Sequence, residues 1–204
     1  MFIGGIGSGK SVALCYSAIL NALNGKRVAI LSYSYRNLKD VIAIALAECC
    51  ENIDVSYDFN KADMIFYVEG TGILLRSSEN PNFLRGLSID GFYLDEAREM
   101  TRETFDIMLG RIRKSSDSFW CISTTSRGKN WIYELLLSEN LTEVFTTGSA
   151  SNEYMTVVLQ TTLSSPFLPI EYINDLMKMY TTNFRNQELL GQIVDGTGSI
   201  INSK

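Results

Sequence analysis

The stretch Gly4-Gly5-Ile6-Gly7-Ser8-Gly9-Lys10-Ser11 constrains this chain more than any other. It fits G-x-x-x-x-G-K-[ST], in which glycines let successive backbone N–H groups turn inward as an anion nest and the helix that follows adds its positive N-terminal end. In that pattern the lysine reaches the β- and γ-phosphates and the serine hydroxyl ligates Mg²⁺, which assigns those roles to Lys10 and Ser11. Gly4, Gly5, Gly7, Ser8 and Gly9 form the cradle. A glycine-rich turn can match by accident. Here Val12, Ala13, Tyr16, Ile19, Leu20 and Leu23 follow at once with helical spacing, and Gly25 stops them, which favours the phosphate loop. Such a loop hangs from a strand, and only Met1, Phe2 and Ile3 precede it, so the first strand is expected to be short.

The remaining segments alternate in the manner of an α/β fold. RVAILSYS (27 to 34) reads as a buried strand and LKDVIAIALAECCE (38 to 51) as a second helix. DMIFYVEGTGILLRSS (63 to 78) reads as a hairpin turning around Glu69-Gly70-Thr71-Gly72. IDGFYLDEA (89 to 97) is a strand ending in two acids, followed by an amphipathic helix over 101 to 113. SFWCISTTS (118 to 126) is another strand and WIYELLLSE (131 to 139) a short helix. MTVVLQTTL (155 to 163) is a last strand, and Pro169 belongs to the first turn of a helix through Tyr180. The polar TTGSASNEY (146 to 154) reads as a loop, and no internal repeat or linker-like run divides the chain.

Charge and cysteine usage narrow the function classes. A net charge of -5 argues against a permanent, strongly basic nucleic-acid surface, because phosphate contacts need clustered Lys and Arg. A transient or localised contact with DNA stays open. The chain has no histidine, and its four cysteines, Cys15, Cys49, Cys50 and Cys121, lack C-x-x-C spacing. The usual zinc constellations and every histidine-based triad are thereby removed, and the thiols read as reduced and mostly buried. Apolar runs such as VIAIALA (41 to 47) fall short of the roughly 18 residues that span a bilayer, so no membrane role is expected.

Three further elements carry chemistry. Asp95 and Glu96 end an apolar strand. Alone they read as the start of a solvated loop; beside a phosphate loop, Asp95 can hold Mg²⁺ and Glu96 can orient or deprotonate an attacking water. Thr124 and Thr125, in STTS (123 to 126), stand at the edge of a parallel sheet where ligands bind, although β-branched threonines favour strands in any case. Arg85, Arg98, Arg111, Arg113 and Arg127 are the candidates for neutralising charge during phosphoryl transfer. GRIRK (110 to 114) fits either a contact to DNA phosphates or the basic last turn of a helix.

Taken in order, GGIGSGKS, NPNFLRG (80 to 86), IDGFYLDEA, TTSRGKNWIYE (124 to 134) and SSPFLPIEYINDLMKMY (164 to 180) resemble the ATPase domain of tailed-phage terminase large subunits over nearly the whole chain. The glycine loop and acidic pair are common to many P-loop enzymes, whereas LRG before the acidic strand, NW-x-Y after the threonines and PFLP-x-EYI are far more specific. The resemblance implies an α/β P-loop NTPase of the ASCE, RecA-like type: a mostly parallel sheet flanked by helices, with a β-hairpin insertion. Residues 1–180 would form the ATPase domain, and 181–204 a C-terminal helix and the start of a linker toward a nuclease domain. FRNQELLGQIVDGTGS (184 to 199) matches that passage; with the nuclease domain missing from the sequence, no DNA cutting is expected.

The implied activity is ATP hydrolysis with Mg²⁺, with Lys10 and Ser11 at the nucleotide, Asp95 on the metal and Glu96 as the catalytic carboxylate. Thr124 and Thr125 match the motif that couples hydrolysis to movement of double-stranded DNA into a prohead. Implied partners are a portal protein, a small terminase subunit and further copies of the chain in a ring, with DNA gripped transiently in host cytoplasm during assembly. Three departures stand out: Ile6 replaces an arginine often found in the loop, Ser126-Arg127 replaces Asn-Pro, and the N-terminal segment that contributes adenine contacts is missing. Arg85, or failing it Arg98, is expected to replace the loop arginine, unless a neighbouring subunit supplies one. Lost adenine contacts would lower affinity and relax base specificity. The alternatives are a helicase-like translocase, for which no second RecA-like half is seen, and a catalytically silent fragment that acts only in assembly.

Overall fold

The computed structural model describes residues 1–113 and 116–194. In chain order the strands are β1 (Phe2–Gly4), β2 (Val28–Ser32), β3 (Tyr57–Asn60), β4 (Ile65–Val68), β5 (Thr71–Ser77), β6 (Gly91–Asp95), β7 (Phe119–Thr124), β8 (Ser149–Ser151) and β9 (Thr156–Gln160). The helices are α1 (Lys10–Leu23), α2 (Tyr35–Asn37), α3 (Ala43–Asn52), α4 (Arg102–Leu109), α5 (Trp131–Ser138), α6 (Val144–Thr147), α7 (Ile170–Met179) and α8 (Thr182–Glu188). They fall into two compact units, one of residues 11–123 and one of residues 1–10 with 124–204.

In the unit of residues 11–123, β2 lies between β5 and β6 and is parallel to both, and β7 runs parallel to β6. Every residue of β2 and β6 is buried, as expected of central parallel strands covered on both faces. The expected hairpin is β4 and β5, antiparallel, with Val68 opposite Thr71. Its loop is only Glu69-Gly70, and both residues have positive φ, 46° and 82°, as a two-residue turn that follows the strand twist requires. Strand β3, absent from the sequence reading, extends the sheet antiparallel to β4, with Tyr57 stacked on Phe66 at 5.2 Å.

The core of this unit is built by Leu14, Cys15, Ala18, Ile19 and Ala22 of α1 against Val28, Ile30, Leu46, Ile73 and Tyr93. This is not the face read from the sequence: of Val12, Ala13, Tyr16, Ile19, Leu20 and Leu23 only Ile19 is buried, Tyr16 is half-buried and the other four are exposed, because the smaller Ala18 and Ala22 with Leu14 and Cys15 turn toward the sheet. The buried Tyr93 hydroxyl bonds Ser17 and Asn21 at 3.0 Å each, and burial pushes its pKa up to about 12. The second helix begins earlier than expected, at α2, and passes through a wider π turn over Leu38–Ile42 before α3. The helix expected over 101 to 113 is α4, capped by the Thr101 hydroxyl and ended at Gly110. Lys114, the end of GRIRK, lies outside the described residues.

In the other unit, β1 is three residues long and pairs in parallel with β9, Phe2 opposite Val158. The segment 146 to 154 is not simply a loop: it holds the end of α6 and β8, which pairs antiparallel with β9. Ser149-Ala150-Ser151 has no apolar run to announce a strand, so its pairing comes from the backbone of β9. Pro169 is the residue before α7 rather than part of its first turn. Residues 195–199 of the expected linker passage lie outside the described residues.

Candidate active site

Strand β1 delivers the chain to the glycine loop and α1 begins at its lysine. The loop is closed in from outside by distant segments of its own unit. Gly5 N–H donates to Gln160 O at 3.0 Å and Ile6 N–H to Glu188 O at 2.7 Å. The Thr162 hydroxyl donates to Ile6 O at 2.7 Å and the Ser165 hydroxyl to Gly7 O at 2.8 Å. A Cβ on Gly5 would run into Thr162 Oγ1 and the carbonyl of Leu189, so only glycine fits there. Gly7 and Gly9 have φ of 67° and 88°, the left-handed region that glycine enters freely.

With its carbonyls tied off on the outside, the loop keeps donors to spare. The amides of Gly7 and Gly9 have no acceptor among the described residues, and Ser8 Oγ is buried without a partner among them. Lys10 is only 8% exposed and its ammonium donates to Gly5 O at 3.0 Å. A buried cation, a buried hydroxyl with no partner and amides with no acceptor among the described residues, gathered in one loop, form a site that fits an anion such as phosphate.

In the unit of residues 11–123, the Ser11 hydroxyl donates to Asp95 Oδ1 at 2.7 Å. Asp95 is 2% exposed and closes β6 opposite Ser123 of β7. A hydroxyl and a single carboxylate suit Mg²⁺, which keeps water and takes substrate phosphate oxygens instead of a protein cage. Among the described residues no group of three or more His, Cys, Asp or Glu side chains could hold a metal ion. Glu96 follows with φ 51° and ψ 49°, a left-handed conformation uncommon for a residue with a side chain. Such strain gathers where geometry serves function.

Arg98 lies 3.5 Å from Glu96 and 3.3 Å from Glu99, its side chain mostly covered. Arg85 is exposed, bonds Asn82 at 3.1 Å, faces Glu103 at 3.5 Å, and its carbonyl accepts the Arg111 guanidinium. Arg113 and Arg127 are exposed. Thr124 and Thr125 are buried, with the Thr124 hydroxyl donating to Thr125 O at 3.1 Å. They line a small pocket with Ile3, Tyr133 and Ile193, and the neighbouring Ser126 hydroxyl donates to Gly191 O at 2.5 Å.

The sequence reading missed Thr162 and Ser165, the two hydroxyls that hold the loop. Their only signal was position, in the polar stretch just after β9, where the hydroxyls of TTLSS alternate with nothing that marks them as loop partners.

A mostly parallel α/β fold in which a glycine-rich loop of this pattern joins a strand to a helix is that of the P-loop NTPases. A sequence profile described as "Terminase large subunit, T4likevirus-type, N-terminal" matches residues 1–204, and the chain belongs to that family. Among solved structures it is similar to the large terminase of a thermophilic bacteriophage, with a TM-score of 0.78 and 14% identity over 95% of this chain and 48% of that one. The same phage terminase has also been solved in complex with ATP-γ-S. The large terminase ATPase domain of Thermus phage P74-26 matches with a TM-score of 0.67 and 15% identity, covering 95% of this chain and 88% of that one. The N-terminal domain of the DNA packaging ATPase from bacteriophage phi29 matches with a TM-score of 0.57 and 16% identity, covering 82% and 91%. No curated protein matches. The chain spans about half the length, 48%, of the thermophilic phage's terminase.

Proposed function

We propose that this chain is the ATP-hydrolysing motor domain of a phage large terminase, which drives double-stranded DNA into a prohead. The observation that carries the reading is the loop's donor set, with Ser8 Oγ and the Gly7 and Gly9 amides unpartnered around the buried Lys10. Gly4, Gly5, Gly7, Ser8, Gly9 and Lys10 bind the phosphates of ATP, and Ser11 with Asp95 holds Mg²⁺. The metal, when bound, neutralises charge on the phosphate oxygens. Glu96 takes the proton of the attacking water, and its fixed backbone aims the carboxylate. Arg85 or a neighbouring copy supplies positive charge; Arg98, already paired with Glu96, orients that carboxylate instead. Thr124 and Thr125 pass the change in nucleotide state toward DNA.

Under this reading residues 1–180 form the ATPase domain and 181–204 lead toward a nuclease domain, while no DNA-cleaving role is assigned to these residues. The partners are transiently bound DNA, a portal protein, a small terminase subunit and other copies in a ring, in host cytoplasm during assembly. The test is turnover of ATP with and without Mg²⁺ by the 204-residue chain, beside Lys10→Ala and Glu96→Gln. Metal-dependent turnover lost in both variants supports the proposal. A folded chain that neither binds nor hydrolyses ATP overturns it.

A further inference from the structure

Beyond β9 the chain forms a strap, Thr161 to Pro169, that lies against the phosphate loop within one unit. Thr162 and Ser165 bond the carbonyls of Ile6 and Gly7, and Thr162 N–H donates to Leu189 O at 2.7 Å. Pro166 and Pro169 bracket an apolar pair, Phe167-Leu168, and limit the backbone on either side of it. The pair points two ways. Leu168 packs on the loop, its Cδ1 within 2.6 Å of where a Cβ on Gly7 would stand. Phe167 is 79% exposed, and its ring edge, Cε2, stands 4.0 Å from where a Cβ on Gly9 would be. Its N–H is steadied by Ser165 Oγ at 3.4 Å, the same hydroxyl that holds Gly7.

We infer that Phe167 is the nucleobase platform of this site: a nucleoside triphosphate anchored on the Gly9 amide and Lys10 lays its base against the exposed face of the Phe167 ring. The inference rests on the proposed nucleotide role of the loop and names how the rest of the ligand is held. A large aromatic ring left in water beside a phosphate-binding amide, on a strap tied at two points to the same loop, is positioned to be covered by whatever the phosphates carry. A phenyl ring has no polar atom to read the edges of a base, so it stacks on any of them. The recognition is therefore of a flat, π-faced base with little choice between purines. Because the Ser165 hydroxyl bonds both Gly7 O and Phe167 N–H, base and phosphates are held by one hydrogen-bonded segment.

The experiment measures binding of Mg²⁺–ATP, Mg²⁺–GTP and Mg²⁺–tripolyphosphate to the 204-residue chain by calorimetry, with Phe167→Ala, Phe167→Tyr and Lys10→Ala. Phe167→Ala is expected to weaken ATP and GTP alike, on the order of 5- to 100-fold, the range that loss of one aromatic–base stack produces. Tripolyphosphate, which has no base, should bind as before, and Phe167→Tyr should restore ATP. Equal weakening of ATP and tripolyphosphate by Phe167→Ala would show that the residue only shapes the loop, and unchanged ATP affinity would show that its ring faces some other partner; either overturns the inference. The nucleotide role is judged separately: Lys10→Ala weakening all three ligands supports it whatever Phe167 does, and a wild-type chain that binds none of the three overturns both.

Discussion

The phosphate loop and the acidic end of β6 are built by opposite means. The loop is almost all backbone, and its shape is held by hydroxyls 156 and 158 positions away in the chain, Thr162 and Ser165. The acid is a side chain at the end of a five-residue strand whose every residue is buried, and its carboxylate accepts from the Ser11 hydroxyl. A carboxylate on a buried strand is placed by packing. A ring of amides must be placed by hydrogen bonds, and those come from wherever the tertiary fold can supply them.

The sharpest way to separate the two regions is to remove one function from each. Lys10→Ala is expected to abolish nucleotide binding and lower turnover on the order of 100- to 1,000-fold, because it deletes the buried cation. Glu96→Gln should lower turnover on the order of 100- to 10,000-fold yet leave binding near that of the unsubstituted chain, since it removes a base and not an anchor. Parallel calorimetry and phosphate-release assays distinguish them; equal loss of binding in both would break the comparison.

Gly5→Ala tests the remote support of the loop. Its methyl meets Thr162 Oγ1 and the Leu189 carbonyl, so unfolding free energy should fall by about 1–3 kcal/mol together with nucleotide affinity. Denaturant titration is the readout. Ser165→Ala and Thr162→Val each remove one hydroxyl donor and should cost about 0.5–1.5 kcal/mol, with a smaller loss of affinity. If the affinity loss exceeds the stability loss, the strap acts chiefly in binding.

The smallest effect is one of pH, and it belongs to the core behind β2. Burial pushes the Cys50 thiol from its ordinary 9.0 up to about 11, with the neighbouring Cys49 and Glu51 adding to the shift. The folded chain thus holds that proton more tightly than the unfolded one, and stability present below pH 9.0 declines as pH rises toward about 11. Denaturation midpoints at successive pH values should show the decline, and Cys50→Ala should make it shallower.

Much of the fold was legible because the signals were local. The loop glycines, the apolar runs of β2 and β6 that end in Ser32 and Asp95, and the Glu69-Gly70 turn each lie in a few consecutive residues whose pattern permits little else, whereas the buried face of α1 differs from the one its apolar spacing suggested. Strand β8 was read as loop because Ser-Ala-Ser carries no apolar run, and β3 was missed because Tyr57–Asn60 alternates too weakly over four residues. Both are edge strands that exist by pairing with a neighbour already in place. The early end of α4 at Gly110 has a similar origin, since residues 111 and 112 turn back to meet Ile89 through backbone and bridge contacts.

The amino-acid sequence by itself determined where the residues proposed for chemistry stand, Lys10 and Ser11 after the glycines and Asp95 and Glu96 at one strand end, and most of the order of helices and strands between them. Only the tertiary structure decided how the loop is held. It turned Thr162, Ser165 and the backbone of 188–189 onto the glycines, set Leu168 inward and Phe167 outward, and gave Glu96 its left-handed backbone. The physical reason is range. Periodicity and turn chemistry act over a few residues and can be read in order, whereas a hydroxyl that satisfies a carbonyl 156 positions away has no local trace until the chain has folded.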